Sequence, residues 1–175
     1  MELSIALNLI EGGVDKDLMS QAWADLGAGN GLFAKALASL LNKSSTIYAI
    51  DKDSGSLKQI PDEFNQVTIK KMKGDFSNET APGPFDGILM ANSLHYVQNQ
   101  PHLLAQLSKQ LNPNGRMILI EYDMDKSNPW VPYPVSYDNL IRLVKSVGFK
   151  SVIRLGEVPS LYNRTNIYSA LIRQD

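Results

Sequence analysis

The chain has 175 residues, of which 43% are hydrophobic, and its formal net charge is -1. This length suffices for one sizeable core and is short for two, so we expect a single domain over residues 1–175. The small net charge argues against a protein that holds nucleic acid by bulk electrostatics, because neutralising phosphates requires a surplus of Lys and Arg. The sequence has no cysteine and only two histidines, which excludes disulfides and thiolate ligands and argues against any metal site.

The first twenty residues predict a short helix from Leu3 to Ile10 that is broken at Gly12 and Gly13. The apolar run in this helix is interrupted by Asn8 and lacks a basic leader, so it fits neither a signal peptide nor a membrane span. We therefore expect a cytoplasmic protein with no membrane partner.

Short β-rich runs alternate with amphipathic stretches between residues 22 and 123, a pattern that predicts βαβ units and a parallel sheet. Strands are predicted at Ala22–Leu26, Thr46–Ile50, Val67–Met72, Phe85–Ala91 and Arg116–Tyr122. Four covering helices are predicted: one after residue 31, one from Asp53 to Ile60, one that begins at Pro101 and one over Ser136–Val147. The segment Asn112–Gly115 is predicted to be a turn.

Two further strand-like runs, Ser151–Leu155 and Thr165–Arg173, close the chain with no helix between them. Parallel neighbours need a crossover connection, so these two runs are predicted to form an antiparallel hairpin, over about residues 150–173, at one edge of the sheet. The predicted fold class is therefore α/β, with seven strands in a mostly parallel sheet whose last strand is reversed.

Polar residues follow the predicted strands at their carboxyl ends, where open parallel sheets bind ligands. Five of the six are acidic, so an unassisted pyrophosphate or triphosphate would be repelled, and the pattern favours a neutral or cationic ligand with hydroxyl groups. These residues are Asp25, Asp51, Asp75, Asn92, Glu121 and Asp123.

The stretch DLGAGNG, residues 25–31, places three glycines at alternate positions behind an acidic residue. It lacks the lysine and hydroxyl of a phosphate-binding loop, and Leu32 stands where the dinucleotide fingerprint G-x-G-x-x-G requires its third glycine. This spacing argues against an NAD-dependent oxidoreductase, which stays as a less favoured alternative. An ordinary strand-to-helix turn is the other reading of the glycines.

Residues 25–31 resemble the D/E-x-G-x-G-x-G first motif of the class I S-adenosylmethionine-dependent methyltransferases. Four more segments resemble motifs of that family in the same order, and together they cover nearly the whole chain. They are TIYAID ending at Asp51, GDF at residues 74–76, FDGILMANSLHYV at 85–97 and LNPNGRMILIEYD at 111–123. The resemblance implies a Rossmann-like three-layer sandwich.

The resemblance also implies that S-adenosyl-L-methionine is the cofactor and S-adenosyl-L-homocysteine the product. It places Asp51 on the ribose hydroxyls, Asp75 on the adenine amino group, Phe76 against the adenine ring and Asp25 opposite the cationic groups. Asp51 and Asp75 also fit a strand end and a turn, respectively. The predicted cofactor-binding residues are Asp25, Gly27, Ala28, Gly29, Gly31, Asp51, Lys52, Asp75, Phe76 and Asn92.

His95 is the predicted general base, because an imidazole can accept a proton near neutral pH. The alternative is a structural cap or a packed ring. Trp130 and Tyr133 lie in the proline-rich loop at residues 128–134, which fits either a wall for the substrate or a loop packed on its own helix. The predicted acceptor-binding residues are Ser93, His95, Tyr96, Tyr122, Trp130 and Tyr133.

The segment ANSLHYV at residues 91–97 lacks the proline pair of the N/D-P-P-Y motif found in nucleic-acid and protein amino methylases. It resembles the N-x-L-H segments of small-molecule methyltransferases. The predicted function is therefore methyl transfer to oxygen, nitrogen or carbon of a small-molecule acceptor, by a monomer or homodimer. The alternative from another class is a non-catalytic S-adenosylmethionine-binding module that regulates or scaffolds a partner.

Overall fold

The computed structural model describes residues 1–79, 81–161 and 165–174. The helices are α1 (Leu3–Ile10), α2 (Leu32–Leu40), α3 (Ser54–Leu57), α4 (Gln100–Ser108) and α5 (Tyr137–Ser146), with 3-10 turns at Glu11–Gly13 and Leu94–Tyr96. The strands are β1 (Ala22–Leu26), β2 (Thr46–Asp51), β3 (Glu63–Phe64), β4 (Val67–Lys73), β5 (Phe85–Ala91), β6 (Leu111–Tyr122), β7 (Ser151–Pro159) and β8 (Asn166–Arg173).

The strands form one sheet in the order β3-β4-β2-β1-β5-β6-β8-β7. The five neighbours from β4 to β6 are parallel, whereas β8 runs antiparallel to both β6 and β7. The predicted parallel sheet, terminal hairpin and reversed last strand are therefore confirmed. Chain order reverses on either side of β1, because β2 lies on one side of it and β5 on the other, and such a switch point favours a ligand site.

The sheet differs from the prediction in its strand count, which over the described residues is eight rather than seven. The additional strand is β3, which pairs antiparallel with the start of β4 at the sheet edge. The prediction of seven was wrong here because a two-residue strand has no measurable alternation of polar and apolar residues.

Three other elements differ in extent from the sequence prediction. One is β7, which continues to Pro159 past the predicted end at Leu155. The helix predicted from Asp53 is a single turn, α3, although Asp53 does cap it by accepting a hydrogen bond from the Gly55 N–H. The predicted turn at 112–115 lies within an irregular start of β6, where Leu111 pairs with Phe85 and Arg116 already pairs with Gly87. The extra residues bulge out of the pairing, as a turn sequence favours.

Apolar side chains form one layer on each face of the sheet. Helices α1 and α2 pack on one face with strand residues such as Trp23 and Ile118. Helices α4 and α5 pack on the other face with residues such as Ala24 and Met117. Adjacent residues of one strand thus supply opposite layers, which is the three-layer sandwich that the sequence predicts.

Among the helices of the described residues, none combines the length and apolar character that crossing a membrane requires.

A buried tyrosine joins the reversed strand to the segment before α5, and its hydroxyl gives a test of this packing. The Tyr168 hydroxyl, on a fully buried side chain, donates to the Val135 carbonyl at 2.8 Å. We expect Tyr168→Phe to lower the free energy of unfolding by about 1–3 kcal/mol, because the buried carbonyl loses its partner. Urea unfolding measures this change.

The matched control is Tyr48→Phe, because the Tyr48 ring packs edge-on against Phe85 and no described residue hydrogen-bonds its hydroxyl. This control should change stability by less than about 0.5 kcal/mol. Equal losses in the two variants would contradict the role of the Tyr168 hydrogen bond.

Candidate functional site

A cleft of about 470 Å³ opens at the carboxyl ends of β1, β2, β4 and β5. It contains residues from both predicted sets, which the parallel sheet brings together from distant parts of the chain. The predicted residues that line it are Gly27, Asp51, Lys52, Asp75, Phe76, Asn92, Ser93 and Tyr96. Asp25, Ala28, Gly29, Gly31, His95, Tyr122, Trp130 and Tyr133 are not among the lining residues.

The Asp51 carboxylate joins the glycine loop to the end of β2. Its Oδ2 accepts a hydrogen bond from the Gly29 N–H at 2.8 Å, and its Oδ1 accepts one from the Asp53 N–H at 2.8 Å. The N–H groups of Gly27 and Ala28 also donate to the Ile50 carbonyl, at 2.8 and 3.1 Å. The loop is therefore held against β2, with Asp51 at the cleft wall.

Two glycines of the loop are required for different reasons. Gly27 has φ 81°, and a Cβ placed on it would lie 2.6 Å from the Ser93 Cβ, so neighbouring strand ends exclude a side chain. Gly29 has φ 52°, but no described heavy atom lies within 4 Å of its Cβ position. The backbone at Gly29 thus faces open space, which a ligand can approach without meeting a side chain.

Asp25 lies beneath the loop and is 1% exposed, with its Oδ2 unpaired among the described residues. Burial, and then the negative charge of Asp51, raise the pKa of Asp25 from 3.8 to about 7, against a smaller lowering by the Ala34 N–H. A carboxyl group of this kind is stabilised in its charged form by any cation brought near it.

Asp75 lines the cleft and also closes the turn after β4. Its Oδ1 accepts hydrogen bonds from the Ser77 hydroxyl and N–H at 2.6 and 3.0 Å, and its Oδ2 accepts one from Asn78 at 3.2 Å. The hydrogen bonds from Ser77 lower the pKa of Asp75. The carboxylate is thus charged and fixed in position, with Phe76 next to it in the cleft wall.

Asn92 combines two unfavourable features at the end of β5. Its backbone is left-handed, with φ 52°, and its enclosed Oδ1 has no hydrogen-bond partner among the described residues. An unpaired buried acceptor costs about 1–3 kcal/mol. Because both features fall on one residue of the cleft wall, they favour a role in binding a ligand that carries a hydrogen-bond donor.

His95 is 2% exposed and forms a buried pair with Glu121, which is fully enclosed. The Glu121 Oε2 lies 2.6 Å from the His95 Nδ1, and the Glu121 Oε1 accepts the His95 N–H at 3.2 Å. Rings of Tyr96 and Tyr122 pack against the imidazole, at 4.3 and 5.9 Å between centroids. Sequence reasoning counted Glu121 only as an acidic strand end and assigned it no partner.

The aromatic loop is attached to the 3-10 turn that carries His95. The Tyr133 N–H donates to the His95 carbonyl at 3.0 Å, and the Gln100 side chain donates to the Tyr133 carbonyl at 2.8 Å. Within the loop, Trp130 is 77% exposed and Tyr133 is 38% exposed. Tyr96, in the cleft wall, is 58% exposed, so large aromatic surfaces remain available on this side.

The raised pKa of Asp25 predicts how stability depends on pH. The pKa of Asp25 is higher in the folded protein than in the unfolded chain. Between about pH 4 and pH 7 the unfolded chain releases this proton and the folded protein keeps it, so the contribution of Asp25 to wild-type stability falls as pH rises through that interval. Asp25→Asn lacks this loss, so its stability relative to wild type should increase over that interval and level off above it. Urea unfolding at a series of pH values measures the difference.

The control is Asp53→Asn, at an exposed carboxylate whose pKa is lowered by hydrogen bonds from Ser56 and Gly55. A lowered folded pKa gives the opposite pH dependence. The stability of wild type relative to Asp53→Asn should therefore increase as pH rises through the acid range. An Asp25→Asn curve parallel to that of wild type would contradict the predicted titration.

Residues 14–170 match the protein-family model described as a methyltransferase domain. An uncharacterized methyltransferase of Mycobacterium tuberculosis is 24% identical over 106 residues, which are 60% of this chain and 52% of that protein. A putative methyltransferase of Invertebrate iridescent virus 6 is 24% identical over 104 residues, covering 59% of this chain and 38% of that protein. The chain thus spans about half or less of these relatives.

Solved structures share the fold over nearly the whole chain. The YcgJ protein from Bacillus subtilis has a TM-score of 0.78 at 12% identity, with 98% of this chain and 99% of that chain covered. The second is the 1,6-didemethyltoxoflavin-N1-methyltransferase from Burkholderia thailandensis, solved with 1,6-didemethyltoxoflavin and S-adenosylhomocysteine. It has a TM-score of 0.75 at 18% identity, with 98% of this chain and 77% of that chain covered. At these identities the likeness establishes the fold.

Proposed function

The chain belongs to the methyltransferase domain family, and from this premise we propose that it binds S-adenosylmethionine in the cleft and transfers the methyl group to a small molecule. The observation that carries the proposal is Asp51, which lines the cleft while its carboxylate holds the glycine loop through Gly29. A nucleoside with a cationic side chain requires an anionic wall and an open backbone. Both of these elements meet at Asp51.

The residues present fit such a cofactor in charge and in hydrogen-bonding capacity. The Asp51 oxygens each keep a lone pair beyond their backbone hydrogen bonds, which suits the two vicinal ribose hydroxyls. Asp75 and Phe76 suit the adenine, with a fixed carboxylate for its amino group and a ring for its face. The backbone of Lys52, next to Asp51 in the wall, flanks the adenosine.

The cationic end of the cofactor is matched by unpaired acceptors. The described residues leave the Oδ1 of Asn92 and the Oδ2 of Asp25 without hydrogen-bond partners, and Asp25 is the carboxyl group whose charge a nearby cation would stabilise. The N–H groups of Gly27 and Ala28 hold the loop backbone on the Ile50 carbonyl. Gly31 starts the loop's turn into α2.

Methyl transfer requires the chain mainly to position its ligands, since the bound sulfonium supplies an already activated methyl group. Ser93 and Tyr96 line the cleft, and His95 and Tyr133 are joined to the same segment, so we assign the acceptor to this side. Tyr122 packs on His95 from beneath, and Trp130 extends the aromatic surface. Exposed aromatic rings suit a small organic acceptor. We propose oxygen ahead of nitrogen and carbon as the methylated atom.

The proposal predicts binding of S-adenosylhomocysteine, which isothermal calorimetry measures without knowledge of the acceptor. Wild-type protein should bind it, and Asp51→Ala should weaken binding at least tenfold, or about 1.4 kcal/mol, because ribose loses its acceptor and the loop loses its anchor. Asp53→Ala removes an equal charge two residues away, outside the cleft wall, and should leave the affinity unchanged.

If the wild type fails to bind, the proposed function is wrong. If Asp51→Ala binds as well as wild type, the cofactor is held elsewhere and only the ribose assignment fails.

The open space at Gly29 makes a second prediction for the same measurement. Gly29→Ala should fold, with a free energy of unfolding lowered by about 1–2 kcal/mol because alanine is strained in a left-handed backbone. Its affinity for S-adenosylhomocysteine should fall at least about tenfold, because the added methyl group occupies space proposed for the ligand. Gly148→Ala carries comparable strain, with φ 97° and no neighbour within 4 Å, but lies after α5 and should retain affinity. Equal affinities for the two variants would refute the close approach at Gly29.

A further inference from the structure

A second groove, of about 430 Å³, lies between the turn after β4 and helix α4. This side groove shares Ser77, Tyr96 and Val97 with the wall of the cleft, so the two spaces adjoin. The other residues that line it have no part in the proposed binding of S-adenosylmethionine. A molecule that reacts in the cleft can therefore extend past Tyr96 into a separate space.

The side groove is lined by uncharged groups. No Asp, Glu, Lys or Arg is among its described lining residues, and His102 is the one side chain there that titrates near neutral pH. The wall of the adjoining cleft, in contrast, carries Asp51 and Asp75. An anionic ligand would find no opposite charge in the side groove, and a cationic ligand would be attracted to the cleft instead. The side groove thus favours an uncharged ligand group.

Amide side chains supply most of the hydrogen-bonding capacity of the side groove. No described residue hydrogen-bonds the side-chain amides of Gln98 and Gln106, so each offers a carbonyl acceptor and an NH₂ donor. Asn99 accepts the His102 N–H at 3.3 Å through Oδ1, and its NH₂ group has no partner among the described residues. Asn78 donates once to the turn after β4 and keeps its Oδ1. Donors and acceptors paired in this way match hydroxyl groups, which both donate and accept.

Apolar surface completes the side groove. Val97 and Leu103 are buried and line it from the core side. Tyr96 stands in the wall that the groove shares with the cleft, and its side chain is 58% exposed. An apolar surface with a few polar groups around it is typical of sites for small organic molecules. It also suits a sugar ring, whose C–H groups pack on apolar and aromatic surfaces while its hydroxyl groups form hydrogen bonds.

The backbone around the side groove is held by local hydrogen bonds. The Val97 N–H donates to the Leu94 carbonyl at 2.9 Å, and the Asn99 side chain caps the start of α4. On the opposite side, the Ser77 hydroxyl donates to Asp75 at 2.6 Å. Groups that are already fixed lose less conformational entropy when a ligand binds. The two sides of the groove are therefore positioned before any ligand arrives.

We propose that the side groove is a subsite that binds an uncharged, hydroxyl-rich part of the methyl acceptor, of the class of a sugar. This inference rests on the proposed function and narrows its acceptor to glycoside-like molecules. The amides of Gln98 and Gln106 hydrogen-bond the hydroxyl groups of this part, and Tyr96 contacts the molecule where it passes from the groove into the cleft.

Calorimetry with phenyl glucoside tests the subsite on protein saturated with S-adenosylhomocysteine, which blocks the proposed nucleoside site. The glucoside should bind at least about tenfold more tightly than phenol, because its hydroxyl groups gain several hydrogen bonds. Phenyl phosphate, which carries an anion in place of the sugar, should bind no more tightly than phenol. Raising NaCl from about 50 to about 500 mM should leave the glucoside affinity within about twofold, because no ion pair forms.

Substitution of the two glutamines tests where the sugar binds. Gln106→Ala should lower glucoside affinity at least about threefold, and the double variant with Gln98→Ala at least about tenfold, because hydrogen bonds are lost. The matched control is Gln59→Ala, at an exposed glutamine that lines neither the cleft nor the side groove, and it should leave glucoside affinity unchanged. Binding of S-adenosylhomocysteine by each variant shows that it is folded.

Methyl transfer from S-adenosylmethionine is then compared for simple diphenols and their monoglucosides, each of which keeps one free hydroxyl group. The monoglucosides should have KM values at least about tenfold lower than the diphenols, and Gln106→Ala should remove most of that difference.

Several results would overturn the inference. Equal binding of phenyl glucoside and phenol, tighter binding of phenyl phosphate, or equal effects of Gln106→Ala and Gln59→Ala would refute the sugar subsite. Transfer that favours the diphenols, or transfer to neither series by protein that binds the glucoside, would refute its role in holding the acceptor. Failure to bind S-adenosylhomocysteine is distinct from all of these, because it refutes the proposed function itself and the inference with it.

Discussion

The register of three parallel strands is the constraint on which the cleft depends. Leu26 at the end of β1 stands opposite Ile50 of β2 and Met90 of β5, so all three strands end at the same level. The residues that follow each strand therefore emerge within one small region. Because side chains alternate along a strand, a shift of one residue would turn Asp25 to the opposite face of the sheet and separate it from Asp51.

The carboxylates at this level are stabilised by backbone N–H donors and, at Asp75, also by the side chains of Ser77 and Asn78. Asp51 accepts hydrogen bonds from the glycine loop and from Asp53. Asp75 accepts hydrogen bonds within its own turn, and those from Ser77 lower its pKa. Asp25 has no comparable set of donors, and burial therefore dominates its electrostatics. The cleft as a whole favours a ligand with positive charge, which also explains why the glycine loop lacks the lysine of a phosphate-binding loop.

The second half of the sheet contains a buried polar pair in a mostly apolar core. Burying Glu121 and His95 carries a desolvation penalty, and the two hydrogen-bond contacts that the Glu121 carboxylate makes to His95 offset part of it. The same pair joins the end of β6 to the turn after β5, to which the aromatic loop is also hydrogen-bonded through Tyr133. A polar contact thus joins the ends of two different strands to the aromatic loop.

Local patterns sufficed for much of the fold and for part of the candidate site. Strand positions such as Ala22–Leu26 and Phe85–Ala91 follow from short apolar runs, and the glycine motif and the strand-end acids are visible as residue types in order. The two-residue β3 has no such pattern, and the partner of His95 lies 26 residues away in the chain. No local periodicity encodes a contact of that separation.

The sequence by itself therefore determined the α/β class, the parallel direction of the central strands and the residues that approach their carboxyl ends, because these depend on periodicity and on motifs of neighbouring residues. Only the tertiary structure decided which of these groups meet. It distinguished Asp51, in the wall of the cleft, from Asp25, beneath it, and it paired His95 with Glu121. Burial and hydrogen-bond geometry are properties of the packed sheet, and residues that are distant in the chain meet only there.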